Sequence, residues 1–595
     1  DNFAVFTVND NDSRFTEVLS GGINIEWNKG PLTLSADIAY SEADGNFVNG
    51  GTRAIIYEDT NAPTMTRGAE SISYMLDGLK VGDFNAAQSY TDLNTIALTE
   101  VGMWPYINRN ELDAYKFDVK YEFEDGGFIS SVEAGVRYSE RVFEAKRQQA
   151  GYGSEFGNNA QGEDPIQLTA SMVEEMSFGA ELSGMPDFFV IDFDDAVAAV
   201  NAVNAAEGRD AFVPAANWSN NWTMIQSGSV NEDVFAAYIQ ANISTEMFGK
   251  EVTGNFGLRM VDSEQYSTGL LQVGNGEGTP VTDERGVVNN DYVVQTVGQE
   301  YTDYLPSINL NFHLSETDQL RFAAAKVMTR PPIEKLKSGG GSWIGGDDDF
   351  NVWGNTSPLL DPFYANQLDV SYEHYFEETN GAFIAAFFYK DIDTFINDIT
   401  IDPFDFAAAG YQIPEINPGT GNPIRNGQFQ TAFNNDEGGY IRGIELAYTQ
   451  TFQNLPGAWS GLGVTGGYSY TESEVEFETG LSGETLNIPL PGLSENVFNG
   501  TVFFDYEQFS TRVSVRHRGE YVGEQVAVET QLAFFAGETV VDYQASYDFD
   551  SGVQMVFQVN NLTDEPNKTY FGAESQTGTI QYFGRQFFLG VNYSM

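Results

Sequence analysis

The chain lacks cysteine altogether, and it has few basic residues and no long hydrophobic run. Without cysteine, disulfide frameworks, thiolate zinc sites and cysteine nucleophiles are excluded. Its 29 Lys and Arg residues stand against 86 Asp and Glu residues, which gives a formal net charge of −57. Because such a chain repels phosphate backbones, nucleic acid is not expected among its partners.

The lack of long apolar stretches excludes helices that span a membrane. The best apolar run, residues 382–389, is far shorter than the ~20 residues that a transmembrane helix needs. Residues 1–12 are acidic and polar, without the basic and apolar regions of a signal peptide. Two classes therefore stay open, a soluble protein and a membrane β-barrel, whose sequence signal is alternation.

Catalytic motifs are scarce as well. His313, His374 and His517 are far apart in the sequence, and none of them stands in an HExxH pattern. The segment 461–466 has GxGxxG spacing, but no helix is predicted after it, as dinucleotide binding would require. A carboxylate pair of the glycosidase kind stays open. We therefore expect no enzyme, no cofactor and no metal centre.

Aromatic residues are abundant, and they alternate with polar ones. They make up 14% of the chain, with 45 Phe and 30 Tyr beside 61 Gly, which is too aromatic for a disordered acidic chain. In residues 114–123, apolar side chains stand at odd positions and charged ones at even positions, so they face opposite sides of a strand. Residues 32–41, 541–549 and 587–594 repeat this pattern. Long strands with one apolar face are predicted.

The connections between these predicted strands are alternately short and long. Short ones fall near 28–31, 124–127, 245–251, 315–318, 377–380, 453–461, 507–508 and 550–552, and long ones near 44–113, 149–230, 263–300, 329–365, 394–437, 475–493, 523–538 and 565–581. A soluble β-sandwich also alternates. Long strands and a girdle of aromatic residues beside the short turns favour a bacterial outer-membrane barrel instead. That girdle comprises Trp27, Phe123, Phe312, Phe376, Phe452, Tyr506, Phe509 and Phe549.

The predicted fold is all-β, a transmembrane antiparallel β-barrel with short periplasmic turns and long extracellular loops. Eight hairpins and a final strand give about 17 strands, whereas an antiparallel barrel closes with an even number. Five further strands would give the 22 of plugged outer-membrane transporters. Residues 1–17 would then be the end of an extracellular loop. A hairpin hidden in loop 44–113, with 53–58 as its candidate, would change the count by two.

Four segments, in order along the whole chain, resemble the TonB-dependent receptor family. Arg330-Pro331-Pro332 is similar to the "TRP" loop start, residues 440–445 (YIRGIE) to the "GxE" strand, and residues 558–564 (QVNNLTD) to the near-terminal "VxNLxD" segment. Residues 354–376 resemble the "GNPxLxP … DxSxExY" signature. The matching residues there are Gly354, Asn355, Pro358, Leu359, Pro362, Asp369, Ser371 and Glu373.

The resemblance implies a protein of the bacterial outer membrane that imports a scarce solute. In this family a plug precedes the barrel and couples it to the TonB complex. No plug or TonB box is found, and the chain ends in Tyr593-Ser594-Met595 rather than in an aromatic residue. We therefore interpret residues 1–595 as the C-terminal part of a receptor barrel whose plug and first strands lie outside the sequence.

The solute is expected to be an oligosaccharide, because the loops resemble those of the oligosaccharide-uptake receptors and carry tryptophans. Alternatives are a ferric siderophore or other metal chelate, a passive porin-like pore, and a surface for adhesion or phage docking. Outer-membrane lipid and a surface lipoprotein are further partners to consider.

Five loop tryptophans are candidates for stacking on sugar rings. The alternative for each is packing between loops or a place in the interface belt. They are Trp104, Trp218, Trp222, Trp343 and Trp353. The last two flank the glycines 339–341 and an acidic run in which Asp347 and Asp349 are candidate ligand-binding residues. Calcium binding by this run is the less favoured alternative to a solvated loop, because the run lacks EF-hand spacing. A short helix is predicted at 194–206.

The acidic composition bears on the choice of solute. An anionic chelate would be repelled unless basic residues line its site, so the net charge slightly favours neutral sugars. Inward-alternating basic residues are predicted to pair with lumenal carboxylates or with the plug. They are Lys116, Lys120, Arg512, Arg516 and Arg518.

Overall fold

The computed structural model describes residues 6–593, apart from 63–64, 66, 69–71, 78–79, 87–88, 125–126, 154–163, 178–185, 274–275, 277, 355, 378, 380, 418, 479–484 and 524–531. Most of the described chain forms one sheet of 21 strands. Four of these strands are short side pieces: Phe6–Asp10, Ala150–Tyr152, Ile166–Gln167 and Thr485–Ile488. The other 17 are the barrel strands.

The barrel strands follow one another along the chain. They are β1 Ser13–Lys29, β2 Leu32–Ile56, β3 Ile96–Glu122, β4 Ile129–Arg147, β5 Gly228–Met247, β6 Lys250–Gln272, β7 Tyr292–His313, β8 Asp318–Thr329, β9 Phe363–Phe376, β10 Gly381–Ile392, β11 Gly439–Thr451, β12 Leu462–Glu478, β13 Asn496–Tyr506, β14 Phe509–Arg518, β15 Glu538–Asp548, β16 Val553–Asn560 and β17 Gln586–Tyr593. Each pairs antiparallel with the next.

The register places apolar residues of neighbouring strands side by side. Tyr115 in β3 lies opposite Ile38 in β2 and Tyr138 in β4, and all three side chains are exposed. Contiguous exposed apolar surface of this kind faces lipid in an outer-membrane barrel. The opposite face, which carries Lys116 and Asp118, is therefore the lumenal face.

The predicted count of 17 barrel strands is confirmed for the described residues, and each predicted short turn joins two successive strands. Two of these turns include residues outside the described ones, namely Asp125, Gly126, Glu378 and Asn380. Also outside them are Asn355, Ser594 and Met595. Among the described residues no pairing joins β1 to β17. Both edge strands are almost entirely exposed.

Three predicted boundaries were wrong. Loop 44–113 is shorter than predicted, because β2 continues to Ile56 and β3 begins at Ile96. Loop 263–300 is also shorter than predicted, because β6 continues to Gln272 and β7 begins at Tyr292. Residues 6–10 and 13–17 belong to strands that pair with β2. These strand segments extend above the membrane, where loops cover both of their faces. Their apolar and polar residues therefore do not alternate strictly.

The hairpin in the loop after β2 is formed by Ile72–Asp77 and Lys80–Ala86, a separate two-stranded sheet, so it does not change the barrel count. The other loop strands are Val173–Met176, Phe188–Ile191, Val281–Thr282, Val288–Asn289, Gly341–Ile344, Asp349–Trp353, Phe395–Ile401, Arg425–Asn435, Tyr521–Val522, Ala533–Phe535, Asn567–Phe571 and Thr577–Gln581. Single 3-10 turns lie at Ile333–Leu336 and Gly457–Gly461.

The predicted helix at 194–206 is confirmed as α1, Phe193–Glu207. Asp192 caps its start by accepting a hydrogen bond from the backbone N–H of Asp195 at 2.9 Å, and Gly208 ends it with a left-handed backbone (φ 69°). A second helix, α2, spans Asn221–Ile225. Neither helix in the described part of the chain has the length and apolarity to cross a membrane.

The long loops pack on both faces of the tall strands. On the outer face, α1 sets the ring of Phe193 against the backbone of Gly50, where a Cβ atom would come within 2.9 Å of the ring. On the lumenal face, Ile333 and Leu336 form a core with Tyr106 of β3 and Phe143 of β4. The loop after β8 therefore folds into the mouth of the barrel.

Candidate functional site

A four-stranded sheet made only of loop strands lies in this mouth. We call it the mouth sheet, and its order is Gly341–Ile344, Asp349–Trp353, Arg425–Asn435 and Phe395–Ile401. The second and third strands are parallel, and the other neighbours are antiparallel. Two loops, after β8 and after β10, supply these strands, so the sheet ties the two loops together.

One face of the mouth sheet is an apolar core. Phe350, Val352 and Phe429 are almost fully buried there against Leu271 of β6 and Val297 of β7. Both wall residues lie on the lumenal face, because they alternate in register with the exposed apolar positions of their strands. The mouth sheet is thus fixed to the inner wall by side-chain packing.

The tryptophans predicted as the best candidates stand on the exposed face of this sheet. Trp343 is 43% exposed and Trp353 is 40% exposed. They lie on the same side of one hairpin, since Gly341 pairs with Trp353 and Trp343 pairs with Asn351. Gln430, also exposed, neighbours Trp353 on the parallel strand. Two aromatic rings and an amide therefore share one supported surface.

The acidic run beside them is held by hydrogen bonds within the mouth. Arg425 bonds the carboxylate of Asp349 at 3.1 Å and the backbone oxygen of Asp347. The carboxylate of Asp348 accepts from Thr420 at 2.6 Å, Asn422 at 2.9 Å and Asn417 at 2.7 Å. These donors hold the pKa of Asp348 below its ordinary value. Among the described residues, no group of three or more His, Asp or Glu side chains is placed to hold a metal ion.

The other three candidate tryptophans are not brought into the mouth sheet. Trp218 stacks on Tyr292 with ring centroids 4.6 Å apart, and its indole N–H donates to two loop carbonyls. Trp222 lies in α2 and donates to Gln149 at 3.0 Å. Trp104, predicted in a loop, lies within β3 opposite Asn49. The contacts of Trp218 and Trp222 are of the kind expected for packing between loops.

Below the mouth sheet, residues 333–338 form a roof that is anchored to the inner wall. The ammonium group of Lys337 lies 5.7 Å from the centre of the Tyr106 ring, and the guanidinium of Arg147 lies 3.9 Å from it. Burial lowers the pKa of Lys337. Gln226 accepts a hydrogen bond from this lysine through its backbone oxygen.

A cavity of about 500 Å³ opens on the lumenal wall, and we call it the arginine cavity. Its lining includes Arg137 and Arg141 of β4, Arg259 of β6 and Arg330, together with apolar, Ser and Asn side chains, and no acidic side chain among the described residues lines it. The buried carboxylate of Glu232, which lies opposite Arg141 on the neighbouring strand β5, is 3.3 Å from Arg141 and 3.9 Å from Arg330. This cluster is exceptional in a chain with so few basic residues.

Sequence reasoning missed these four arginines as a group. Arg330 was singled out only as part of a motif, and inward-facing basic residues were noticed elsewhere, at Lys116 and Arg512. Arg137, Arg141 and Arg259 do stand at lumenal positions of alternating strands. Their convergence depends on the register of β4, β5 and β6, which local patterns do not specify.

The chain matches the family described as "TonB dependent receptor-like, beta-barrel" over residues 76–562, and it belongs to that family. Members of this family are outer-membrane proteins of Gram-negative bacteria and are transporters, not enzymes, so the chain is an outer-membrane protein of a Gram-negative bacterium. No curated protein sequence is significantly similar to it.

Solved structures similar to the chain include three receptors. The ferric-catecholate import receptor Fiu from E. coli K12 is 14% identical, with a TM-score of 0.48; the match covers 94% of this chain and 64% of that one. The siderophore receptor PiuA from Acinetobacter baumannii is 12% identical (TM-score 0.46, 99% and 80% covered). The hemophore receptor HasR from Serratia marcescens is 13% identical (TM-score 0.41, 97% and 71% covered).

Proposed function

We propose that this receptor barrel serves the TonB-driven uptake of an oligosaccharide into the periplasm. The observation that carries the proposal is the exposed face of the mouth sheet, where Trp343 and Trp353 stand beside Gln430. Flat aromatic faces stack on sugar rings, and a neighbouring amide hydrogen-bonds to hydroxyl groups. The buried Phe350 and Val352 behind them keep the rings in place without a ligand, which lowers the entropy cost of binding.

The domain organisation is part of this proposal. An antiparallel barrel of 17 strands with two exposed edges leaves backbone groups unpaired in the membrane, which costs several kcal/mol for each group. We propose that five further strands close it to 22 and that a plug in the lumen couples it to the TonB complex. Outer-membrane lipid covers the apolar face, and a surface lipoprotein delivers the solute to the mouth.

Uptake of labelled oligosaccharides by cells that carry or lack TonB tests the proposal. We expect uptake only with TonB, and we expect the double substitution W343A/W353A to reduce it by weakening capture. Trp459, which is 64% exposed at a short turn on the opposite side of the membrane, provides the matched control W459A. The proposal would be contradicted if a ferric chelate bound to the receptor and none of the oligosaccharides did. A high conductance in planar bilayers would indicate a passive pore instead.

A further inference from the structure

The arginine cavity has no described acidic side chain in its lining, and its four guanidinium groups are incompletely neutralised. Among the described residues, Glu232 is the one carboxylate paired with them, and Arg141 and Arg330 share it. Arg137 and Arg259 are exposed to the lumen and have no ion-pair partner within the described ranges. Like charges that line one cavity repel one another, and an anion bound among them relieves that repulsion.

We propose that the arginine cavity binds the oxyanion groups of the transported solute, so that the solute is an acidic oligosaccharide whose sugars carry carboxylates. This inference rests on the function proposed above and names its substrate class. Guanidinium groups suit carboxylates because their planar fork donates two parallel hydrogen bonds.

The position of the cavity connects it with the mouth sheet. Arg330 directly follows Thr329, the last residue of β8, and the chain then continues into the roof and into the strand of Trp343. Ile333 and Leu336 of that roof pack on the same inner wall as the cavity lining. A solute would therefore meet aromatic rings at the mouth and guanidinium groups in the lumen, which suits a chain of sugar rings with acidic substituents.

The test compares three probes on the whole receptor purified from outer membranes: an oligogalacturonide, a neutral galactose oligomer of the same length, and a ferric catecholate. The variant R137Q/R259Q removes the two unpaired charges and leaves shorter, uncharged polar side chains. R137K/R259K keeps the charge and loses the fork. R512Q is the matched control, because Arg512 is also lumenal but lies in another cavity, beside Gln544. Heat-modifiable electrophoretic mobility reports whether each variant is folded.

We expect the oligogalacturonide to bind at least roughly tenfold more weakly to R137Q/R259Q, since a lost charge-assisted hydrogen bond has about this effect. R137K/R259K should bind with intermediate affinity. Affinity for the neutral oligomer should be the same in all variants, and R512Q should behave like the parent. Added salt should weaken binding of the acidic probe alone.

Each other outcome overturns a distinct statement. If both oligomers bind equally well and ignore the arginines, the inference fails and the proposed function stands. If R137Q/R259Q leaves solute affinity unchanged but opens a conductance, the cavity holds a fixed carboxylate of the plug, and the inference again fails. If the ferric catecholate alone binds and needs the arginines, the oxyanion site stands and the oligosaccharide proposal fails. If no probe binds, both are wrong.

Discussion

Gly135 in β4 permits a hydrogen bond that crosses three strands. It lies between Asp118 of β3 and Tyr238 of β5, and the tyrosine hydroxyl donates to the carboxylate over it at 2.7 Å. A Cβ atom at Gly135 would clash with the Asp118 carboxylate and would come within 2.5 Å of the Tyr238 ring. We predict that G135A destabilises the barrel because the two side chains must separate.

The magnitude follows from the contacts that remain. Asp118 keeps Lys116 at 2.7 Å and Ser35 at 3.3 Å, so losing the tyrosine alone, as in Y238F, should cost about 1.5 kcal/mol of unfolding free energy, the lower end for a bond to a charged group. G135A adds crowding of about 1–2 kcal/mol, which gives a total of about 3 kcal/mol. In G135A the bond is already lost, so the further Y238F change should cost less than it does in the parent.

The assay is urea unfolding of the protein in lipid vesicles, followed by tryptophan fluorescence. G21A is the control, because a Cβ atom at Gly21 meets no atom within 4 Å. It also reports the stabilisation that Gly-to-Ala changes bring through the unfolded chain, about 0.4–1 kcal/mol. The reasoning is refuted if G135A and G21A differ by less than about 0.5 kcal/mol, or if the effects of G135A and Y238F add in full.

Three further predictions concern the mouth. D348N should speed hydrogen exchange in residues 419–425 at neutral pH, because the hydroxyl of Thr420 and the amide of Asn422 favour the ionised carboxylate of Asp348. The pKa of Asp348 is lowered, so this stabilisation is fully present above the ordinary pKa of an aspartate and is lost as the pH falls through the lowered pKa. Calcium should leave the thermal unfolding of the mouth unchanged, because both oxygens of this carboxylate already accept hydrogen bonds. G341V should weaken oligosaccharide binding as strongly as W353A, because a side chain at Gly341 displaces the Trp353 ring.

Strands in the membrane could be predicted from the sequence because lipid imposes a strict rule on them. A strand such as β3 presents Tyr115 and Phe117 to lipid and Lys116 to the lumen, so alternation identifies both its path and its faces. Above the membrane, the sequence pattern of the same strand no longer identifies it as a strand. Near Leu98 it is fully buried, because loop side chains cover it there, and the loop was consequently predicted to continue to residue 113, past the start of β3 at Ile96.

The site was predicted only in part for a related reason. Trp343 and Trp353 could be proposed because a tryptophan pair near glycines is a local feature. Their common face depends on the hairpin register, and their support depends on Phe429, which is more than seventy residues further along the chain. The arginine cavity depends on three strand registers together with Arg330. Contacts of this kind are set by tertiary packing, which no local period specifies.

The arginine cavity also shows why net charge is a poor guide to the charge of a transported solute. At physiological salt, fields between exposed charges decay over about 8 Å, so acidic side chains on the outer face contribute little within the lumen. The cavity itself presents Arg137, Arg141, Arg259 and Arg330, and the described carboxylate paired with them is Glu232. A chain of net charge −57 thus presents a cationic surface in the arginine cavity. The acidity that favoured neutral sugars at the level of composition is compatible with an anionic cargo at the level of the site.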